Sequence, residues 1–234
     1  MDIILVPGFW LDGSSWSGVI PRLVADGHRV RAMTLPGMQS LAAERGHITL
    51  QDHVDAVVAA IDEAGGDVVL VGHSGGAGPV HAAVDARPDR VARAIYVDAV
   101  PLGDGAAVLG ELDPEGGDVD LFDWDDFDDA DLTDLDEELR ERFRARAIPT
   151  PRGVATGRQR LSDPRRYEVP VTIVSCEFPA AQLRELGRDG HPYVAELTKI
   201  RSVDYIDLPT GHWPQFTRPD ELADALAGAV SARQ

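Results

Sequence analysis

The sequence predicts an α/β fold, built on a mostly parallel, doubly wound sheet with helices on both faces. Strand and helix patterns alternate along most of the 234 residues, as expected of repeated βαβ units. The predicted strand 67–71 is nearly continuous in valine and leucine, which is typical of a parallel strand buried on both faces. It is followed directly by Gly72-His73-Ser74-Gly75-Gly76. A Gly-x-Ser-x-Gly motif between a strand and a helix predicts a nucleophile elbow.

The first 100 residues contain four predicted strands and three predicted helices. The strands are expected at residues 2–6, 29–35, 67–71 and 92–97, and the helices at residues 15–26, 49–64 and 75–86. The second helix has the clearest signal, because Thr49 is a suitable N-cap and apolar residues recur after it at helical spacing. Pro36-Gly37 ends the second strand.

The alternation stops after the fourth strand and resumes near residue 165. Residues 101–164 contain glycine-rich turns, a helix near residues 136–146 and no evident strand. Beyond them we expect strands at 169–176 and 203–208, a helical stretch around 193–199 and a C-terminal helix at 219–232. The sequence therefore predicts one core, residues 1–100 and 165–234, with an acidic helical lid of residues 101–164 inserted into it.

The charge of the chain is strongly negative and unevenly distributed. The net charge is −18, which argues against nucleic acid or an anionic membrane as a partner. Between Glu111 and Glu141 there are 16 acidic residues and one basic residue, Arg140. We interpret this run as a solvated acidic face. Recruitment of a cationic substrate or partner is the alternative.

The remaining composition is typical of a globular protein of the cytoplasm. Hydrophobic residues make up 44% of the chain, and no apolar run approaches the roughly 20 residues that span a bilayer. The N-terminus has the pattern of a first strand and not of a signal peptide. The single Cys176 excludes an internal disulfide and suits a reducing compartment. No metal-ligand spacing is present, so we expect neither a metal nor a cofactor.

Two residues have the spacing expected of a serine nucleophile and its base. Ser74 lies in the elbow, and a serine hydroxyl needs a base within hydrogen-bond reach to become an effective nucleophile. His212 is the candidate base, because it follows the last predicted strand and loops after parallel strands share one edge of the sheet. Gly72 and Gly76 are expected where a Cβ would crowd the turn, and His73 is expected to pack.

Three segments together resemble the α/β-hydrolase fold over essentially the whole chain. They are Val6-Pro7-Gly8-Phe9-Trp10, the elbow, and Gly211-His212-Trp213-Pro214. The chain is similar to small esterases, to hydroxynitrile-lyase-like members and to short actinobacterial α/β-fold hydrolases. The resemblance implies Ser74 as nucleophile, His212 as base, and the N–H groups of Phe9 and Gly75 as the oxyanion hole. The usual His-Gly of the first loop is Pro7-Gly8 here, which keeps the backbone donor and removes the histidine side chain.

The acid of the triad has two candidates. Most relatives carry an aspartate in the loop after the strand that follows the lid, and this loop reads Ser175-Cys176-Glu177-Phe178-Pro179. Asp98, at the end of the fourth strand, is the first candidate, because some relatives place the acid there. Glu177 is the alternative. Both keep the chain order nucleophile, acid, base.

These residues predict a serine hydrolase that cleaves a small, mainly apolar carboxylic ester, thioester or lactone through an acyl-enzyme on Ser74. Trp10 and Trp213 are candidate substrate contacts among a larger set of aromatic residues near the expected pocket. The expected partner is therefore a small-molecule substrate. A homodimer is a further possibility. A lyase or cyclisation catalyst on the same residues and a non-enzymatic ligand-binding protein are the alternatives. The lyase usually needs a positive charge in the pocket, and Lys199 is the only lysine.

Overall fold

The computed structural model describes residues 1–113 and 115–232, in which six strands form one sheet. The strand order is β2-β1-β3-β4-β5-β6, and all five pairings are parallel. The strands are β1 (Asp2–Val6), β2 (Arg29–Ala32), β3 (Val68–His73), β4 (Val91–Val97), β5 (Val171–Ser175) and β6 (Val203–Asp207). The predicted parallel α/β sheet is confirmed.

Helices cover both faces of the sheet, as a doubly wound fold requires. The α-helices in the described residues are α1 (Ile20–Ala25), α2 (Leu50–Glu63), α3 (Ala77–Ala86), α4 (Glu137–Arg146), α5 (Arg152–Ala155), α6 (Ala180–Arg188), α7 (Pro214–Thr217) and α8 (Pro219–Ser231). Helices α1 and α8 pack on one face, where Leu23 and Leu222 meet Ile3. Helices α2, α3 and α6 pack on the other. None of the described helices has the length and apolar character needed to cross a bilayer.

Two helix predictions need correction. The helix expected at 15–26 is a 3₁₀ turn, Gly13–Trp16, followed by α1. Pro21 lies in the first turn of α1 and lacks the N–H that a longer helix would need there. The helical stretch expected around 193–199 is two 3₁₀ turns, Pro192–Val194 and Leu197–Lys199. Their buried residues are three positions apart, a spacing that successive 3₁₀ turns also satisfy.

Helix α6 is not predicted from the sequence because it is short and mostly polar. Ala180 and Leu183 are the buried ones among its nine residues, and Leu186 packs partly buried on the same core. A short helix with so few apolar residues resembles a polar loop in a sequence. By contrast, α2 begins where it is expected, since Thr49 and Asp52 form a capping box at its N-terminus.

The residues between β4 and β5 lie across the carboxyl edge of the sheet and are fixed to it by hydrogen bonds. Ile148 N–H donates to the carbonyl oxygen of Trp10 at 3.0 Å, and Val119 forms an antiparallel bridge with Thr150. The run of acidic residues at 111–141 is exposed except for Asp118 and Asp131, which are half-buried. This exposure supports the solvated-face interpretation. The role of residues 101–164 as a lid stays a prediction.

A buried ionic cluster ties the chain before β5 to α3 and to the turns before β6. Arg166 donates to Glu196 at 2.9 Å and to Asp85 at 3.0 Å. His81 Nε2 lies 3.2 Å from the same Glu196 carboxylate, and Lys199 donates to it at 3.0 Å. Burial raises the pKa of Glu196, but these hydrogen bonds outweigh it and leave the pKa well below its ordinary value. The carboxylate is therefore an anion whose stability depends on its partners.

We expect Arg166→Met to lower the free energy of unfolding by about 3–5 kcal/mol, because it leaves two buried carboxylates short of a cation. The adjacent Arg165 is the matched control: its side chain is 58% exposed, against 7% for Arg166. Arg165→Gln should leave the same quantity close to its wild-type value, because exposed ion pairs contribute little to stability. Urea denaturation of both variants measures the difference. Equal losses would show that the cluster has no special weight in stability.

Candidate active site

Four polar side chains follow four strands and meet at the carboxyl edge of the sheet. Ser74 follows β3, Asp98 follows β4, Glu177 follows β5 and His212 follows β6. These strands are consecutive neighbours in one parallel sheet, so the loops after them open onto the same space. Residues up to 138 positions apart in the chain are thereby brought into hydrogen-bond contact.

The turn after β3 holds Ser74 in a strained conformation. Its φ is +48°, in the left-handed region that a residue with a Cβ rarely adopts. The backbone around this turn is crowded. A Cβ on Gly76 would lie 2.5 Å from the carbonyl oxygen of Pro7. A Cβ on Gly72 would lie 2.9 Å from the carbonyl oxygen of Gly76. The motif thus forms the elbow that its spacing predicts.

His212 is within hydrogen-bond reach of the serine. Its Nε2 lies 2.7 Å from Ser74 Oγ and can accept the hydroxyl proton. The backbone of the loop is fixed by the inserted segment, since His212 N–H donates to the carbonyl oxygen of Asp131 at 2.8 Å. Gly211 N–H donates to Thr133 in the same way at 3.1 Å.

His73, inside the elbow, is hydrogen-bonded to the loop that follows β6 and carries His212, which we call the base loop. Its Nε2–H donates to the carbonyl oxygen of His212 at 2.7 Å, and its Nδ1 accepts from the amide of Gln215 at 3.3 Å. Burial lowers the pKa of His73 to about 3, so its ring stays neutral in this tautomer. The sequence indicates that His73 packs. The sequence around His73 contains no pattern that indicates its hydrogen bond to a loop 139 positions away.

Both candidate acids contact the other nitrogen of His212. Asp98 Oδ2 lies 2.7 Å from Nδ1 and accepts its proton, and Glu177 Oε1 lies 2.8 Å from the same atom. Asp98 is held in place by its other oxygen, which accepts from the backbone N–H groups of Cys176 and Glu177 at 3.0 and 3.1 Å. The structure therefore assembles the chain Ser74–His212–Asp98, with Glu177 beside it.

The pKa values of these groups depend on one another. Burial raises the pKa of Asp98, but the hydrogen bond and charge of His212 outweigh it, so Asp98 stays an anion. Burial also lowers the pKa of His212, and the hydrogen bonds and charges of Asp98 and Glu177 reverse this and raise it to about 10. Burial and the neighbouring Asp98 charge raise the pKa of Glu177 to about 8, against the opposing hydrogen bond of His212.

The loop after β1 packs closely on the elbow beside Ser74. The ring of Phe9 lies directly on Gly75, where a Cβ would approach its Cδ1 to 2.5 Å. The close contact holds the first loop against the start of α3. The N–H groups of Phe9 and Gly75 are the oxyanion donors that the resemblance implies, and this role stays a prediction.

An aromatic cluster lies between the first loop, the base loop and the inserted segment. Trp10 donates its indole N–H to the carbonyl oxygen of Val119 at 3.0 Å and has a φ of +65°. Trp213 is 1% exposed, packs edge-on against Phe143 and Phe127, and lies against the His212 ring. Both tryptophans, the two candidate substrate contacts, are buried. Trp213 packs beside His212 in the same loop, and Trp10 belongs to the same apolar cluster.

Asp98, Glu177 and His212 form the group of described residues whose possible metal-ligand atoms lie within 4.8 Å of one another. A metal ion there would have to replace the Nδ1 proton that Asp98 accepts. The geometry of a His ring donating to one carboxylate and accepting from a serine fits a hydrogen-bonded triad instead. Sequence spacing could not indicate this group, because its members follow three different strands.

Comparison with known proteins agrees with this architecture. A family model described as the alpha/beta hydrolase family matches residues 3–225. A pyrethroid hydrolase of Sphingobium wenxiniae is 29% identical over 99% of this chain and 88% of its own. A carbendazim hydrolyzing esterase of a Nocardioides species is 32% identical over 97% of this chain and 98% of its own.

Solved structures of similar fold cover nearly the whole chain. The crystal structure of a pyrethroid hydrolase has a TM-score of 0.72 at 24% identity, over 99% of this chain and 98% of that one. A methylesterase from Arabidopsis has a TM-score of 0.75 at 19% identity, over 99% of both chains. A parallel sheet with a serine elbow after its central strand, matched along its length by a family model and by these relatives, places this chain in the alpha/beta hydrolase family.

Proposed function

We propose that this protein is an ester hydrolase that acts through an acyl-enzyme on Ser74. The observation that carries the proposal is the unbroken hydrogen-bonded chain from Asp98 through His212 to Ser74, with both links at 2.7 Å. A serine with an oriented base and two backbone donors beside it is equipped for acyl transfer. The arrangement needs no cofactor for this reaction.

The proposed reaction has two halves. Ser74 Oγ attacks the ester carbonyl carbon as its proton passes to His212 Nε2, while Asp98 stabilises the imidazolium. The N–H groups of Phe9 and Gly75 bind the oxygen that becomes negative; one such donor is worth about 3–4 kcal/mol in the transition state. His212 then returns the proton to the departing alkoxide. Water attacks the acyl-enzyme by the same route, so that the acid leaves and Ser74 is regenerated.

The proposed substrate is a small, mainly apolar carboxylic ester, thioester or lactone. Apolar side chains of the aromatic cluster surround the first loop and the base loop on the side of the inserted segment. The names of relatives support an ester: one is a pyrethroid hydrolase, one a carbendazim hydrolyzing esterase, and a structural neighbour is a methylesterase.

The alternatives have less support in the structure. A lyase of the hydroxynitrile type usually needs a positive charge in the pocket, and the only lysine, Lys199, is tied to Glu196 in the buried ionic cluster. A purely ligand-binding protein would not need the full chain of Ser74, His212 and Asp98. The hydrolase is therefore the proposal that uses all of these residues.

We expect a fluorophosphonate probe to label the protein covalently on Ser74, because His212 activates this hydroxyl. Ser74→Ala should abolish labelling, whereas Ser17→Ala, which removes an exposed serine from the surface, should not change it. Mass spectrometry of the labelled peptide identifies the site. A folded protein that stays unlabelled would contradict the proposal.

We expect Asp98→Asn to lower kcat on an activated aryl ester at least about 100-fold, because the amide cannot stabilise the imidazolium and disturbs the tautomer of His212. Circular dichroism should show that the variant is folded. Steady-state kinetics at neutral pH measures the loss. An Asp98→Asn enzyme with nearly full kcat would exclude Asp98 as the acid and transfer that role to Glu177.

A further inference from the structure

The site has one more carboxyl group than a catalytic triad uses. His212 Nδ1 carries a single proton, and two carboxyl oxygens lie within hydrogen-bond distance of it. Only Asp98 Oδ2 lies in line to accept the N–H. Glu177 Oε1 lies 2.8 Å from the same nitrogen and is buried, and none of the described residues offers it an N–H aligned as that of His212 is toward Asp98. An ionised carboxylate in that position would have to share the one Nδ1 proton with Asp98.

The two carboxyl groups differ in how their oxygens are satisfied. Asp98 accepts three N–H groups, two from the backbone and one from His212. Such a set of donors stabilises an anion. The free oxygen of Glu177 faces a cavity of about 80 Å³, which is also lined by Ser175, whose hydroxyl is likewise buried without a partner. Ionisation would therefore be far more costly for Glu177 than for Asp98.

The groups around Glu177 add to this cost. Asp98 approaches it from the end of β4 and Asp131 from the inserted segment, and both carboxyls raise the pKa of Glu177. Tyr193, from the turn before β6, lines the same cavity, and Cys176 precedes Glu177 in the chain. Of the described residues, His212 is the one basic group paired with Glu177, and its Nδ1 proton already goes to Asp98. Two carboxyl groups this close do not both ionise easily.

We propose that Glu177 is a neutral carboxylic acid in the working enzyme and shares its proton with the Asp98 carboxylate, so that His212 has one anionic partner. Glu177 is then a positioning residue that acts through Asp98. The inference rests on the proposed function for its kinetic consequence, but the protonation state of Glu177 can be measured without any substrate.

The neutral state of Glu177 keeps His212 available as a base. With both carboxylates ionised, the pKa of His212 is raised to about 10, and the ring would hold its proton at neutral pH and could not accept one from Ser74. A state in which the proton lies on Glu177 and His212 is neutral has the same total charge as the state with two carboxylates and a protonated His212. The pKa of Glu177, raised to about 8, agrees with a proton that stays on this residue at neutral pH. Such coupled groups titrate as one unit.

Infrared spectroscopy tests the protonation state directly. We expect the difference spectrum between the wild-type protein and Glu177→Gln at neutral pH to contain the C=O band of a protonated carboxyl group. This band should vanish as the pH is raised through about 8. The matched control is Glu185→Gln, an exposed glutamate on α6, whose difference spectrum should contain only ionised carboxylate bands. The same ionised bands from Glu177 at neutral pH would overturn the proposal.

The pH profile of kcat/KM provides the second readout, since its acidic limb reports the base in the free enzyme. Glutamine imitates a neutral glutamic acid, so Glu177→Gln should leave the midpoint of this limb within about half a pH unit of the wild-type value. A shift of one unit or more to lower pH would show that Glu177 is normally ionised and would overturn the proposal. A loss of kcat as large as that of Asp98→Asn would overturn it too, by making Glu177 the acid. Failure of the proposed function is distinct, because it would appear as absent labelling of Ser74.

Discussion

The site depends on a very close approach between the first loop and the nucleophile elbow. Gly76 lies against the carbonyl oxygen of Pro7, and Gly75 lies under the ring of Phe9, at distances that leave no room for a Cβ. This contact packs the first loop on the turn that holds Ser74 at a φ of +48°. A side chain in place of Gly76 would force the Pro7 backbone away, and the turn that carries Ser74 would move with it.

His212 and the two carboxyl groups reach that place because of the sheet topology. β3, β4, β5 and β6 are adjacent and parallel, so four successive loops open at one edge. The His212 loop is held there from three sides: His73 donates to its carbonyl, Asp131 accepts its N–H, and Trp213 packs behind it. The inserted segment thus contributes to the geometry of the base, although its sequence is mainly a solvated acidic surface.

The two carboxyl groups beside His212 illustrate how burial distributes charge in such a site. Asp98 and Glu177 lie at nearly equal distances from one nitrogen, and the difference between them comes from their remaining hydrogen bonds. The chain order and the positions of the strand ends limit the acid to these two residues. A sequence contains no information on which carboxylate receives backbone N–H groups, so the physical reason that ranks Asp98 above Glu177 lies in the packing of the two loops.

The sequence by itself determined the parallel α/β sheet, the elbow at Ser74 and the loop that carries His212, because these depend on local periodicity, glycine spacing and chain order. It did not reveal α6, which is short and mostly polar, or the bond of His73 to the base loop. Only the tertiary structure brought Asp98 and Glu177 together on one imidazole nitrogen. Contacts between residues that follow different strands depend on packing across the sheet edge, and this packing leaves no pattern along the chain.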